Sequence, residues 1–307
     1  MLDSLNTAKK YLCVRQLIPV LKQRFINMKI IYLAGLGHSG STMLDLSLGC
    51  LKDVVGLGEI KNTLDKKERE KHFESTCSCG VMGNQCNLWC EIDKELDEKS
   101  DQIAKYETIT KVLQKHYGKN TVLIDSSKNS YSYLQKLSKN HDVRIIFLTR
   151  DVRSWSYSRY LHTNKPILYF IFRWFAENKK LQYRLRKMNL SFFNVGYEEL
   201  SLYPDLVLKK ITEYTGVTYN KDVLQPAKSK SHIISGNIAR VDKFKRKNWS
   251  YDARWLLSSR LQVLSPIILL FTRYNSKLVY RNLKGSGIHD FYLFGKKRRT
   301  EMSEKNN

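Results

Sequence analysis

The stretch MKIIYLAGLGHSGSTMLDLSLGCL, residues 28 to 51, decides how the rest of the chain is read. Its opening MKIIYLA is a continuous apolar run with β-branched side chains, the pattern of a strand buried on both faces. Residues 35 to 42, GLGHSGST, follow, and the apolar residues of TMLDLSLGCL then recur at helical spacing. The reading is strand, glycine-rich turn, helix. Such a turn leaves the first main-chain N–H groups of the helix without intrahelical partners and aims them at an anion. Gly37 and Gly40 let the backbone bend, and Ser39, Ser41 and Thr42 add hydroxyl donors. A tight turn with an ordinary cap is the plainer alternative, but a cap needs only one small polar residue.

Working outward, TVLI at 121 to 124 ends at Asp125, VRIIFLT at 143 to 149 runs into Arg150, and SFFNV at 191 to 195 forms a fourth strand. Helices are expected over 92–117, 131–139, from 150 onward, over 167–187, over 204–214 ended by Gly216, and over 252–280. Residues 61–75 are highly charged and read as exposed, and 228–250 read as a basic loop containing Gly236. Strands alternating with helices predict an α/β class, a P-loop-like three-layer fold with a central, mainly parallel sheet flanked by helices. Ligands of such sheets bind beyond the carboxyl ends of the strands. Polar clusters stand there, after Ala34, Ile124 and Leu148. The expected organisation is a basic amphipathic N-terminal helix over 1–27, one domain over 28–285 with a cysteine-rich insertion at 77–90, and a basic tail over 286–307.

Composition agrees with a folded chain. Of 307 residues, 42% are hydrophobic and 11% aromatic, too many for a solvated coil. Lys plus Arg total 53 against 29 Asp plus Glu, a formal charge of +24. That excess fits an anionic ligand, polymer or membrane surface and says nothing of the fold. Zinc-finger spacing, a basic region joined to heptads and an aromatic RNA-binding signature are lacking, so nucleic acid is not expected. No long apolar run leads to a cleavage site, and 267–271 is far shorter than a bilayer span. The expected location is cytoplasmic, with peripheral membrane contact through the N-terminal helix or the run Lys296-Lys297-Arg298-Arg299 as an alternative to two solvated ends.

The phosphate-loop pattern G-x-x-x-x-G-K-[ST] is almost met, but Ser41 stands where the lysine belongs. Nucleotide triphosphate hydrolysis is thereby disfavoured. Instead, His38-Ser39-Gly40-Ser41-Thr42 resembles the loop of the sulfotransferase superfamily, in which the basic residue lies three positions earlier. Here that residue is His38, where Lys or Arg is commoner, and a histidine can be neutral near pH 7. FLTRDVRSWSYSR, 147 to 159, strengthens the resemblance with Arg150 at a strand end and Ser158 in the next helix. In that family these two bind the 3′-phosphate of the donor 3′-phosphoadenosine-5′-phosphosulfate (PAPS).

Other segments extend the resemblance over about residues 28 to 260. VVGLGEI, 54 to 60, resembles a segment whose Glu is the general base, which implicates Glu59, with His38 as the competing base. VGYEEL, 195 to 200, resembles a segment that implies Tyr197 near the adenosine. Asp125-Ser126-Ser127-Lys128 and HIISGNIAR, 232 to 240, resemble a bacterial-type branch. There Lys128 would replace the missing loop lysine and Arg240 would clamp donor phosphates. The resemblance implies direct in-line sulfuryl transfer to a hydroxyl acceptor, a carbohydrate or glycolipid being the favoured class, without a catalytic metal. A P-loop kinase or triphosphatase and a non-catalytic basic adaptor are the rival functions.

Cys77, Cys79, Cys86 and Cys90 fall within fourteen residues. They could hold a tetrahedral structural zinc, form two disulfides, or stay free, and their spacing matches no standard zinc pattern. Cys13 and Cys50 read as ordinary buried or helical cysteines.

Overall fold

A computed structural model describes residues 28–283, apart from the Lys243 side chain. The expected N-terminal helix, Cys13 and the basic tail lie outside the described residues. Five strands, β1 (Lys29–Gly35), β2 (Val54–Gly56), β3 (Val122–Asp125), β4 (Asp142–Thr149) and β5 (Phe192–Gly196), form one sheet in the order β2-β3-β1-β4-β5. Every pairing is parallel. The α/β, three-layer expectation therefore holds.

The strands alternate their side chains between two cores. Ile30, Tyr32, Leu123, Ile145 and Phe147 pack on one face, and Ile31, Leu33, Ile124, Ile146 and Leu148 on the other. Both sets are fully apolar because both faces are covered, which is why these strands read as unbroken hydrophobic runs. On the second face lie α1 (Ser41–Leu48), which contributes Leu44 and Leu48, and α9 (Pro204–Thr215), which contributes Val207, Leu208 and Ile211. The first face carries α4 (Gln102–Tyr117), α5 (Tyr131–Asn140), α6 (Val152–Tyr160) and the 21-residue α7 (Ile167–Lys187). α2 (Lys66–Phe73) and α3 (Asn87–Glu95), with Leu88, Trp89 and Ile92, also pack toward the first core, Leu200 of α8 (Tyr197–Leu202) joins the second, and α10 (Thr272–Val279) adds Leu278 and Val279 to the first. No described helix is long and apolar enough to cross a membrane.

Several expectations are corrected. The helix read over 92–117 is two helices, because Asp101 caps α4 by accepting from the N–H groups of Ile103 and Ala104. The charged stretch 61–75 is not all exposed: Arg69 of α2 is buried, and its guanidinium reaches Asp93, Glu98 and the Thr63 carbonyl. Residues 252–280 do not form one helix. They break into a 3-10 turn at Arg254–Leu257 and two five-residue α-helices, Ser259–Val263 and Ser265–Leu269, before α10, with Pro266 in the first turn of the second, where its missing N–H costs nothing. β2 was not anticipated, being only three residues long.

One buried carboxyl joins the loops at the carboxyl edge of this sheet. Asp45, on the inner side of α1, accepts from Gly58 N–H at 3.2 Å, Ser126 Oγ at 3.0 Å and Ser231 Oγ at 3.0 Å. It is wholly buried, and burial outweighs those three hydrogen bonds to push its pKa up to about 7 from 3.8. The native state then holds a proton that the unfolded chain releases, so this residue's contribution to stability declines as pH rises from about 4 through 7. Urea unfolding of wild type and Asp45→Asn at pH 5 and pH 8 tests this. The variant, which cannot ionise, should gain on wild type by on the order of 1 kcal/mol or more at the higher pH; a pH-independent gap would refute the buried titration.

Candidate anion-binding cleft

Because all strands run the same way, the segments after β1 to β5 emerge at one edge. They surround a cleft of about 1440 Å³ lined by Gly37, His38, Gly40, Ser41 and Thr42 after β1, Glu59 after β2, Lys128 after β3, Arg150 and Ser158 after β4, and Tyr197 after β5. Ser39 is buried within the loop and does not line the cleft. The loop is shaped by close approaches. Gly35 has φ +149°, and a Cβ there would lie 2.3 Å from the Leu148 carbonyl oxygen of β4. Gly40 has φ +92° and packs on Tyr197, whose ring a Cβ would meet at 2.6 Å. His38 and Lys128 also adopt left-handed backbone, with φ 68° and 59°. Two non-glycine residues held there, both facing one cleft, are the kind of local strain that collects at functional sites.

Arg150 is the most firmly held group. Its Nε donates to Ser154 Oγ at 2.7 Å, its Nη1 to the His38 carbonyl at 3.1 Å, and its Nη2 to Asp252. The guanidinium lies 4.9 Å from the Tyr197 ring centre. Its own carbonyl accepts from Trp174 Nε1, and Trp155 Nε1 bonds the Gly37 carbonyl, so α6 and α7 fix both Arg150 and the β1 loop. The neighbouring acid Asp151 does not pair with Arg150. It is buried against Arg153, Asn275 and Tyr280.

Glu59 and Lys128 form an ion pair across the cleft floor, and Glu59 also accepts from Asn62. His38 is neutral near pH 7, because burial and then the charges of Arg159, His162, Arg150 and Lys128 lower its pKa to about 4. Its ring meets that of His162 edge-on at 5.2 Å. The five lining cations Lys128, Arg150, Arg159, Lys245 and Arg254 outnumber the acids Glu59 and Asp252, so the cleft is built for an anion.

Two sequence expectations change. Arg240 does not reach the cleft. Its guanidinium is drawn to the carbonyls of Thr76 (3.3 Å) and Gly236 (3.0 Å), while its neighbours 236–239 form the wall. Cys90 stands apart from the other three cysteines, bonding the Asn84 carbonyl from α3, and His232 takes its place beside Cys77, Cys79 and Cys86. All five described cysteines are free. Residues not singled out beforehand include Arg159, His162, Tyr251, Asp252 and Arg254. Arg159 and His162 sit one and four positions after Ser158, a spacing that could have found them; nothing local marks Asp252.

Phosphate-loop turn, parallel sheet and cationic cleft together define the class: an α/β protein whose switch edge suits an anionic ligand. The sequence profile of the sulfotransferase family matches residues 31–221, well over half of the chain, and the protein belongs to that family. Among solved structures, the sulfotransferase domain from the curacin biosynthetic pathway is similar at 17% identity and a TM-score of 0.47, covering 78% of this chain and 97% of that one. The sulfotransferase domain of the Synechococcus PCC 7002 olefin synthase is similar at 15% identity and TM-score 0.47, over 78% and 94%. Sulfotransferase STF1 from Mycobacterium tuberculosis H37Rv is similar at 14% identity and TM-score 0.42, over 70% and 73%. No curated protein matches the chain.

A neutral His38 is directly measurable. In an NMR titration of histidine-labelled protein, its ring carbon should titrate with a midpoint near 4 rather than 6.5. The Arg159→Ala variant should move that midpoint upward, since one of the depressing charges is gone. A wild-type midpoint at or above 6.5 would contradict the burial of His38 in a cationic cleft.

Proposed function

We propose that the protein transfers a sulfuryl group from PAPS to a hydroxyl acceptor by in-line displacement. The observation that carries this reading is the convergence, on one cleft, of the anion-binding loop, the tethered Arg150 with Ser158, and the Glu59–Lys128 pair. In the proposed reaction the acceptor oxygen attacks sulfur as the bond from sulfur to the donor's 5′-phosphate oxygen breaks. The acceptor proton passes to Glu59. Loop N–H groups, the hydroxyls of Ser41 and Thr42, and Lys128 stabilise the charge that develops on the sulfuryl oxygens and the departing phosphate. Arg150 and Ser158 hold the 3′-phosphate, and Tyr197 lies beside the nucleoside. With its pKa near 4, His38 is neutral at pH 7 and serves in this reading as a hydrogen-bonding partner, while Glu59 takes the proton.

The acceptor is proposed to be a saccharide or glycolipid hydroxyl. Leu256 and Leu257 stand in the cleft lining, and Leu257 is 90% exposed, which suits an acceptor with an apolar portion beside its hydroxyl. A cytoplasmic location, with peripheral membrane contact, goes with this proposal. The kinase reading is weaker for a specific reason. Asp125, the strand-end acid that would hold magnesium, is fully buried and bonded to Ser127 and Tyr133 rather than facing the cleft.

Calorimetry with adenosine 3′,5′-bisphosphate, adenosine 5′-monophosphate and ATP, in EDTA, tests the donor site. The bisphosphate should bind tightest, and Arg150→Ala should weaken it by about 100-fold, the worth of a charge-assisted phosphate contact. Equal or better binding of ATP would sink the proposal. Because Asp252 competes for the same guanidinium, Asp252→Asn should tighten the bisphosphate several-fold. Glu59→Gln should retain bisphosphate binding while losing at least about 100-fold in sulfuryl transfer to a saccharide acceptor; full transfer by that variant would remove Glu59 as the base.

A further inference from the structure

The cysteine-rich segment and the distant residue His232 form a second, separate constellation. The Sγ atoms of Cys77, Cys79 and Cys86 and a ring nitrogen of His232 all lie within 4.8 Å of one another. Cys79 Sγ and Cys86 Sγ are 3.8 Å apart, and Cys86 Sγ is 3.2 Å from His232 Nδ1. A tetrahedral zinc with sulfur at about 2.3 Å and nitrogen at about 2.0–2.1 Å separates two sulfurs by about 3.8 Å and sulfur from nitrogen by about 3.5 Å. The sulfur separation is also nearly twice a disulfide bond of about 2.05 Å. We propose that Cys77, Cys79, Cys86 and His232 bind one structural zinc ion, in a Cys3His site that pins the 231–242 segment to the cysteine-rich segment.

The surroundings are those of a built site. His232 Nε2 lies 2.9 Å from the Tyr117 hydroxyl, a contact that leaves Nδ1 to act as the ligand and fixes the ring plane. The main chain of His232 is held on both sides: its N–H donates to the Gly56 carbonyl of β2 at 2.7 Å, and its carbonyl accepts from Trp89 Nε1 at 2.7 Å. Cys77 and Cys79 sit on a tight turn. The N–H of Cys77 bonds the Val81 carbonyl, and the N–H of Gly80, at φ +103°, bonds the Cys77 carbonyl. Cys86 stands at the start of α3. Ser78 stitches the turn to the second segment through the main chain of Ile233.

Charge balance supports the same assignment. Zinc with three thiolates and a neutral imidazole carries one net negative charge, after three thiol protons leave to solvent. Two guanidinium groups flank the turn: Arg240 bonds the Thr76 carbonyl, and the buried Arg246 bonds the Ser78 carbonyl at 2.8 Å. This also accounts for the position of Arg240 outside the cleft. Four ligands fill a tetrahedron and leave no open position, so the ion acts structurally. What it holds in place is a wall: residues 236–239, a few positions beyond His232, line the anion cleft, and the Asn237 N–H reaches Thr42 of the loop.

The test is metal analysis of the full-length chain, purified without chelators from cells grown with added zinc, together with its intact mass. Wild type and Cys90→Ser should each carry about one zinc per chain, and Cys86→Ser and His232→Ala under about 0.2. Exchange of cobalt(II) into wild type and Cys90→Ser should give thiolate-to-metal charge transfer and the visible bands of a tetrahedral site, which decides the matter even if the ligand variants fail to fold. A metal-free wild type, iron in place of zinc, an intact mass two protons low from a disulfide, or equal metal loss in Cys90→Ser would each overturn the site. None of these readouts needs donor or acceptor, so the result stands apart from the sulfotransferase proposal.

Discussion

The cleft depends on a carboxyl group that never touches it. Asp45 lies wholly buried under the phosphate-loop helix and takes hydrogen bonds from the loop after β2, the loop after β3 and the segment beginning at Ser231. Those three connections carry Glu59, Lys128 and the wall at 236–239 respectively. A buried acid tolerates few arrangements, because each lost partner leaves an unsatisfied group costing about 1–3 kcal/mol. One side chain thus sets the mutual position of pieces that lie far apart in the chain. The parallel sheet brings strand ends to a common edge; Asp45 registers the loops against each other within that edge.

On the opposite side, the aromatic residues of α6 and α7 do the equivalent work. Trp155 and Trp174 use their indole N–H groups on the carbonyls of Gly37 and Arg150, while their rings belong to the first core. Arg150 is therefore positioned from its main chain as well as through its guanidinium. Glu198 and Glu199 of α8 serve the fold rather than the chemistry. Glu198 accepts from the Asp151 N–H, and Glu199 gathers the main chain of Asn282 and Leu283, which anchors the end of the described chain beside β5.

The fold was readable where physical signals are local. β1, β3, β4 and β5 appear as apolar runs because both faces of each are covered, and α7 shows its buried face through Phe170, Trp174, Leu181 and Leu185 at helical spacing. β2 is too short to carry a pattern. The helix read over 252–280 had the right apolar content, but Ser258 and Pro266 interrupt it. In the cleft, the loop at 37–42, Glu59, Lys128, Arg150, Ser158 and Tyr197 each follow a strand, so their convergence followed from topology. Partners fixed only by packing were invisible. Asp252 lies 102 residues from Arg150, and His232 lies 146 residues from Cys86. Cys90 looked equivalent to its three neighbours because spacing alone does not tell which way a helical side chain turns.

The Arg150–Asp252 pair has a consequence for selectivity among anions. Burial pushes the Asp252 carboxyl up, but Arg254 and Arg150 hold it at about 2, so it remains a carboxylate at any ordinary pH. Arg150 is thus already matched with a single negative charge tethered at high local concentration. Chloride and other monovalent ions bring no more charge than Asp252 and none of its tethering, so they compete poorly. A phosphate dianion brings more charge and more acceptor oxygens, and Arg254 remains to receive the released carboxylate. On the proposed donor-binding reading, the internal acid works as a threshold that small monovalent anions do not pass and a polyvalent one does.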